Sequence, residues 1–170
     1  KVIDGKGKTV IPGLIDMHVH LATGEGLTDG RDNWDSFSIG AVAAHNLVLF
    51  LEQGFTTVRG AGGPSLGLAK AIKAGRIPGP RFYPAGPWIS QTAGHADLGY
   101  WTDPVGFKDN SELTVTSHVV DGRAEVLKAV RDNLRKGATQ IKLMAGGGVS
   151  SEFDPLNTTQ FTVDEMKAAV

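Results

Sequence analysis

Leu14-Ile15-Asp16-Met17-His18-Val19-His20-Leu21 is the stretch on which the reading of this chain turns. Apart from Asp16 and the two histidines it is apolar, and it predicts a short buried β-strand. Successive side chains on a strand point to opposite faces, so His18 and His20 share one face, about 6–7 Å apart by the strand rise. Asp16, two residues earlier, falls on that face too. Two imidazoles so placed can close on one metal ion. A solvent-facing strand would alternate with polar residues, and this one does not.

Working outward, the rest of the chain bounds what such a strand can serve. The 170 residues are 41% hydrophobic and 21% charged, ordinary for a globular domain. Net charge is −1 with no charged block, which argues against nucleic acid or an anionic membrane surface as partner. No apolar run approaches the roughly 20 residues of a membrane span. The absence of cysteine excludes disulfides and thiolate metal sites and leaves the redox compartment open. Localisation is therefore open, with the cytoplasm slightly favoured and a secreted or periplasmic setting retained, since the first residue is Lys1 and a leader would not be seen. Glycine, at 23 of 170, exceeds the usual share of about 7% and gathers after the apolar runs.

Upstream, Val2-Ile3-Asp4, a Gly5-Lys6-Gly7-Lys8 turn and Thr9-Val10-Ile11 read as strand, turn and strand. Downstream, Ala22 to Asp35 reads as a polar loop over the histidines, followed by a helix capped by Ser36 or Ser38 and running to about Gln53, with Gly54 as its C′ residue. Phe55–Arg59 is a β-branched strand, Ser65–Ala74 a short helix and Arg81–Ala85 a third strand. A long loop from about Gly86 to Val120 follows, and its Trp88, Tyr100 and Trp101 point to an ordered, functional segment. Asp121 caps a helix over Arg123–Lys136, with an Asp132–Lys136 pair, and Gly137 ends it. Gln140–Ala145 is the fourth strand, and Thr162-Val163-Asp164-Glu165 is a capping box. Strands alternating with helices predict a parallel sheet. A (β/α)8 barrel needs about 250 residues and carries its functional groups at strand ends. The expected fold is thus α/β: the first half, about four β/α units, of such a barrel, with residues 12–170 as barrel strands 1–4. A complete four-unit open α/β domain is the alternative.

Lys142 is out of place within Ile141-Lys142-Leu143-Met144. It is either a lysine snorkelling from a strand end or a site residue. A protonated lysine would repel a cation held by His18 and His20, while burial and a nearby metal favour the neutral amine of a lysine. His45 reads as a packing or surface residue, and His118 as structural or surface.

The run Val10-Ile11-Pro12-Gly13-Leu14-Ile15-Asp16-Met17-His18-Val19-His20 resembles the barrel entry of the amidohydrolase superfamily, metal-dependent hydrolases on a (β/α)8 barrel. Ile89–Asp97 and Gly137–Ser151 resemble its imidazolonepropionase-related, prolidase-like branch of dipeptidases, carboxypeptidases and hydrolases of amides such as ochratoxin and phenylureas. The resemblance implies that residues 1–11 are the tail of a small β-domain ahead of the barrel, and that two divalent metal ions, zinc expected, activate a shared water for attack on an amide carbonyl. It implies His18, His20 and Lys142 as metal ligands, Lys142 after adding CO2 to become an N6-carboxylysine. It leaves two further histidines and a catalytic aspartate to strands past Val170. His95 is the candidate catalytic and substrate-binding residue, donating to the carbonyl or to a substrate carboxylate, or else a loop-ordering histidine. Arg59 is a candidate bidentate partner for that carboxylate or else a structural ion-pair residue. The branch commonly has Gly-Gly-His-Gly-Asp where this chain has Ala93-Gly94-His95-Ala96-Asp97, and Arg-Asp where it has Arg59-Gly60. Those departures bear on the substrate rather than the chemistry. A peptide or N-acyl amino acid is the expected substrate; a neutral amide, urea or carbamate, a barrel deamination, or a non-catalytic scaffold are the alternatives. A homo-oligomer that includes the remainder of the barrel is expected.

Overall fold

The computed structural model describes residues 2–23 and 26–170. Its elements in chain order are β1 (Leu14–Val19), α1 (Leu27–Asn33), α2 (Ser36–Glu52), β2 (Phe55–Gly60), α3 (Leu66–Lys73) and β3 (Arg81–Tyr83). Then follow β4 (Trp88–Ser90), α4 (Asn110–Leu113), β5 (Ser117–Val119), α5 (Gly122–Lys136) and α6 (Val163–Ala169). β1, β2 and β3 form a parallel sheet in that order, and β4 and β5 a second parallel pair.

α2 begins at Asp35, whose carboxylate accepts from the Ser38 backbone N–H at 2.8 Å, so the cap lies just before the two serines expected to supply it. It ends at Gly54, where φ is 90°, a conformation that suits glycine. Ile39, Ala43 and Leu47 of α2 bury against Val19 and Val58 of the sheet. α5 ends on left-handed Gly137, and its Val126, Ala129 and Val130 pack with Ile89, Phe161 and Ala168 in a second core. Asp121 stands at the N-cap of α5, but its carboxylate accepts from the backbone N–H and the hydroxyl of Thr92 instead, at 3.1 and 2.5 Å. The Thr162–Glu165 capping box forms as expected at the start of α6.

Five expectations change. Residues 2–13 form no strand; they make one turn, closed by Lys8 N–H on the Gly5 carbonyl, and leave Val2, Ile3, Val10 and Ile11 exposed. A strand needs a neighbouring edge, and no described residue offers one to this segment. β1 is not buried along its length: Ile15 and Met17 are more than half exposed, because β1 is the sheet's outer strand and nothing described covers that side. The expected loop 22–35 contains helix α1. The expected loop 86–120 contains β4, α4 and β5. Pro84 and Pro87, which lack an N–H to donate, lie in the stretch that separates β3 from β4. The fourth strand is reduced to one parallel bridge, Ile89 to Leu143, with Ile89 N–H on the Lys142 carbonyl at 3.0 Å and Met144 N–H on the Ile89 carbonyl at 2.9 Å. Ile89 is thus held on one side by residues 142–144, while its neighbours Trp88 and Ser90 bond to the β5 segment. No described helix is long and apolar enough to cross a membrane.

Candidate active site

His18 lies near the C-terminal end of β1 and His20 just past it. The ladder continues beyond the strand through Ala61 N–H on the Val19 carbonyl at 2.8 Å, and Asn46 of α2 donates to the Leu21 carbonyl at 2.9 Å. These bonds fix the backbone on both sides of His20. The ring nitrogens meet, His18 Nε2 to His20 Nε2 at 3.2 Å. Two nitrogens bound to one tetrahedral zinc at about 2.0–2.1 Å stand about 3.3 Å apart, so the pair already has the spacing of two ligands on one ion. Burial, with added positive charge from His18 and Lys142, pushes the His20 imidazole down to about 4. His20 is therefore neutral at ordinary pH, the form that offers a lone pair to a metal. Asp16 does not join them: its carboxylate accepts the His18 backbone N–H at 2.9 Å, where the β1–β2 register slips. No cluster of three or more His, Cys, Asp or Glu among the described residues is arranged for a metal.

Lys142 shares with His18, His20 and His95 the lining of one cavity of about 590 Å³. Thr139 and Gln140 set its place: Thr139 N–H donates to the Pro84 carbonyl at 2.8 Å, and the Gln140 amide donates to the carbonyls of Gly60 and Tyr83 at 3.1 and 2.9 Å. One side chain thus ties the lysine segment to the ends of β2 and β3. The inner wall is Trp88, edge-on to His20 at 5.5 Å between centroids. Trp88 donates to the Ala61 carbonyl at 2.8 Å and lies so close to Gly62 that any side chain there would strike the indole. Trp88 and Met144, which also line the cavity, pack with Ala96 behind it.

His95 enters on the Ala93–Asp97 turn. Its Nδ1 meets Ser151 Oγ at 2.7 Å and Asp154 Oδ2 at 3.1 Å, and its backbone N–H donates to Gln160 at 3.0 Å. Arg59 does not line the cavity. Its Nε donates to the Met17 carbonyl at 2.6 Å, which places it in the joint between β1 and β2 rather than opposite a substrate. An aspartate at position 60 would find no room, since a Cβ there stands 2.8 Å from the Phe82 ring. His45 is exposed, and His118 lies beside Asp132, away from the cavity. Thr23, Ser150, Ser151, Asp154 and Gln160 were not among the expected site residues; Ser150 and Ser151 end the Gly137–Ser151 run, and no local motif marks the other three. A second cavity of about 680 Å³ is lined by Asp97, Asp103, Asp109, Asp121, Glu112 and Glu125. Asp97, Asp103, Asp109, Asp121 and Glu125 accept backbone N–H groups, which is turn and cap chemistry.

Residues 9–170 match the Amidohydrolase family. The chain belongs to that family. It is 35% identical to ochratoxinase of Aspergillus niger over 179 residues, covering 95% of this chain and 36% of that one. A prolidase solved with N-methylphosphonate-L-proline superposes with a TM-score of 0.89 at 39% identity, over 99% of this chain and 41% of the other. A Xaa-Pro dipeptidase with methionine in its active site gives 0.77 at 34% identity, over 93% and 39%. The chain thus spans roughly two fifths or less of each of these relatives.

Proposed function

We propose that the protein is a metal-dependent amidohydrolase that cleaves an amide bond beside a free carboxylate, as in a dipeptide or N-acyl amino acid. One observation carries this reading: the two imidazole nitrogens at ligand spacing on a cavity they share with Lys142. His18 and His20 would hold a divalent ion, and Lys142, once carboxylated by CO2, would supply the anionic oxygens that join a second. When bound, the ions would supply Lewis-acid activation of water and of the amide carbonyl at neutral pH. The chain's own part is to orient. Trp88 and Met144 give the cavity an apolar wall, His95 offers a ring nitrogen across from the histidine pair, and Thr23 and Ser150 add hydroxyls to the lining. The carboxylate preference leans on the relatives named for proline peptides, since Arg59 is spent on the Met17 carbonyl. We further place β1, β2, β3 with β4, and the segment around Lys142 as the first four staves of a barrel.

The test is a panel of dipeptides and N-acyl amino acids against their methyl esters and neutral amides, run on the active enzyme with and without a chelator. Free acids should be preferred and chelation should abolish turnover. Equal turnover of esters and neutral amides moves the substrate to the neutral amide, urea or carbamate class. Full activity in metal-stripped protein removes the metal reading. Arg59→Met should leave KM for the free acids unchanged and lower Tm, as befits a residue joining two strands.

A further inference from the structure

We propose that Asp154 is the positioning residue of His95: its carboxylate holds the Nδ1–H of the ring and so delivers Nε2 to the cavity that His18, His20 and Lys142 line. The proposal rests on the amidohydrolase reading of that cavity and assigns a residue to it from a separate segment of chain.

Three observations converge on the pair. Asp154 is nearly fully buried, its side chain 1% exposed, and its Oδ2 lies 3.1 Å from His95 Nδ1. The same oxygen accepts the Gly148 backbone N–H at 3.0 Å and the Gln160 amide at 3.3 Å, while Oδ1 is buried with no partner. A buried acceptor needed only for backbone N–H groups would be served by an amide at lower desolvation cost. A carboxylate with one oxygen unsatisfied calls for a reason, and a ring N–H held in one orientation supplies it. Second, Gln160 is itself buried and grips both members: its Oε1 accepts the His95 backbone N–H and its Nε2 reaches Asp154. Ring and carboxylate therefore share one frame. Third, the ring is stacked so closely on Gly148 that a methyl group there would overlap it. Gly148 closes one face of the imidazole while Asp154 and Ser151 occupy Nδ1, so the nitrogen left for the cavity is Nε2.

Ser151, His95 and Asp154 contain the residue types of a nucleophilic triad, but their geometry excludes one. Both partners meet Nδ1, whereas a relay places the ring between them. Burial raises the Asp154 carboxyl, and hydrogen bonds from Ser151 and His95 outweigh it, so that Asp154 is held below the usual carboxylate range and stays an anion. The anion favours the Nδ1–H tautomer. A neutral ring then accepts at Nε2 from water or a substrate N–H, and a doubly protonated ring donates there. In both states Nδ1 stays with Asp154.

The experiment is Asp154→Asn in the active enzyme, read by kinetics, metal content, Tm and the imidazole 15N shifts of His95. An Asn amide donates to Nδ1 and so favours the opposite tautomer. We expect the 15N pattern to reverse and kcat/KM to fall by on the order of 10²-fold, the range seen when a carboxylate behind a histidine is removed. Metal content should hold, and Asp154→Glu should restore the wild-type tautomer and part of the rate. Wild-type rate and wild-type 15N shifts in Asp154→Asn overturn the proposal. So does an equal loss in the Asn and Glu variants accompanied by loss of Tm, which is what a merely structural carboxylate predicts. Should Asp154→Asn not fold, Gly148→Ala displaces the ring from its other side with Asp154 intact. Loss of rate with metal retained and His95 shifts moved then supports the pairing, and unchanged rate sinks it. Should wild-type protein carry no metal and hydrolyse no amide, the amidohydrolase reading fails, and the 15N shifts still decide for or against Asp154.

Discussion

His18 and His20 come to the cavity on a strand, whereas His95 comes to it on a turn, and the two are held in different ways. The pair on β1 is placed by backbone: the β1–β2 ladder, its continuation through Ala61, and Asn46 on the Leu21 carbonyl. His95 is placed by side chains from far along the chain, Ser151, Asp154 and Gln160, at sequence separations of 56 to 65 residues. A ladder fixes direction at each residue whatever the side chains are. A turn fixes only its own few dihedrals, and the side chain it carries must be oriented by partners. Strand-borne groups should therefore tolerate changes around them and fail only when they are themselves replaced, and turn-borne groups should fail when their neighbours change.

The largest effect expected on the strand side is replacement of a histidine itself. His18→Ala should cut activity by more than about 10³-fold, beyond the 10–100-fold of a residue one shell further out, and bound metal should fall with it. Near-normal metal content and rate would break the assignment of β1 as the metal strand. Next is Lys142→Ala, expected to lose on the order of 10²-fold if Lys142 supplies a bridging carboxylate. A short carboxylic acid should restore part of the rate, and intact mass of the active enzyme should show one added CO2. An active, metal-loaded enzyme with an unmodified Lys142 amine would leave this lysine a snorkelling residue at a strand end.

The same contrast sets how much could be read from sequence. The alternation and spacing in Leu14–Leu21 placed the histidine pair, Gly54 and Gly137 marked helix ends, and Thr162 with Glu165 marked a helix start. Each is a local signal within a few residues. β4 and β5 were hidden because each is only three residues long and β4 sits beside Pro84 and Pro87, which read as loop. β1 was expected to be buried because its composition is that of a covered strand, but burial depends on what lies across from it, and no described residue covers that side. Arg59 was legible as a site candidate by its place at a strand end; its Nε took a backbone carbonyl of the next strand, which no sequence spacing reveals. Asp154 had no motif at all.

A smaller effect concerns a histidine on a strand outside the site. His118 of β5 is pushed below its ordinary value by burial, with Asp132 acting in the opposite direction. The folded state therefore binds a proton less readily than the unfolded state, and stability falls as pH drops below about 6.5 toward the folded value. His118→Gln should flatten that fall and leave activity untouched. An unchanged stability–pH curve would show that its burial carries no titration cost.

The smallest effect tests whether the turn holds His95 or only carries it. Ala93 has φ 55°, in the left-handed region, where a side chain costs about 1–2 kcal/mol relative to the usual helix region. It stays there because its N–H donates to Asp97 at 2.7 Å and because Gly94 is wedged against Ser90 and Gln160, leaving the turn no room to relax. Ala93→Gly removes the left-handed penalty and returns about 0.5–1 kcal/mol of backbone entropy to the unfolded chain. The net gain should be at most about 1.5 kcal/mol, read as a small rise in Tm. Activity should stay within about twofold, because the His95 backbone is gripped by Gln160 and its ring by Asp154, neither of which the substitution touches. A rate that drops while Tm rises would mean that the stiffness of the turn, rather than the Gln160–Asp154 frame, sets the position of His95. The distinction between ladder-held and partner-held groups would then apply only to the metal histidines.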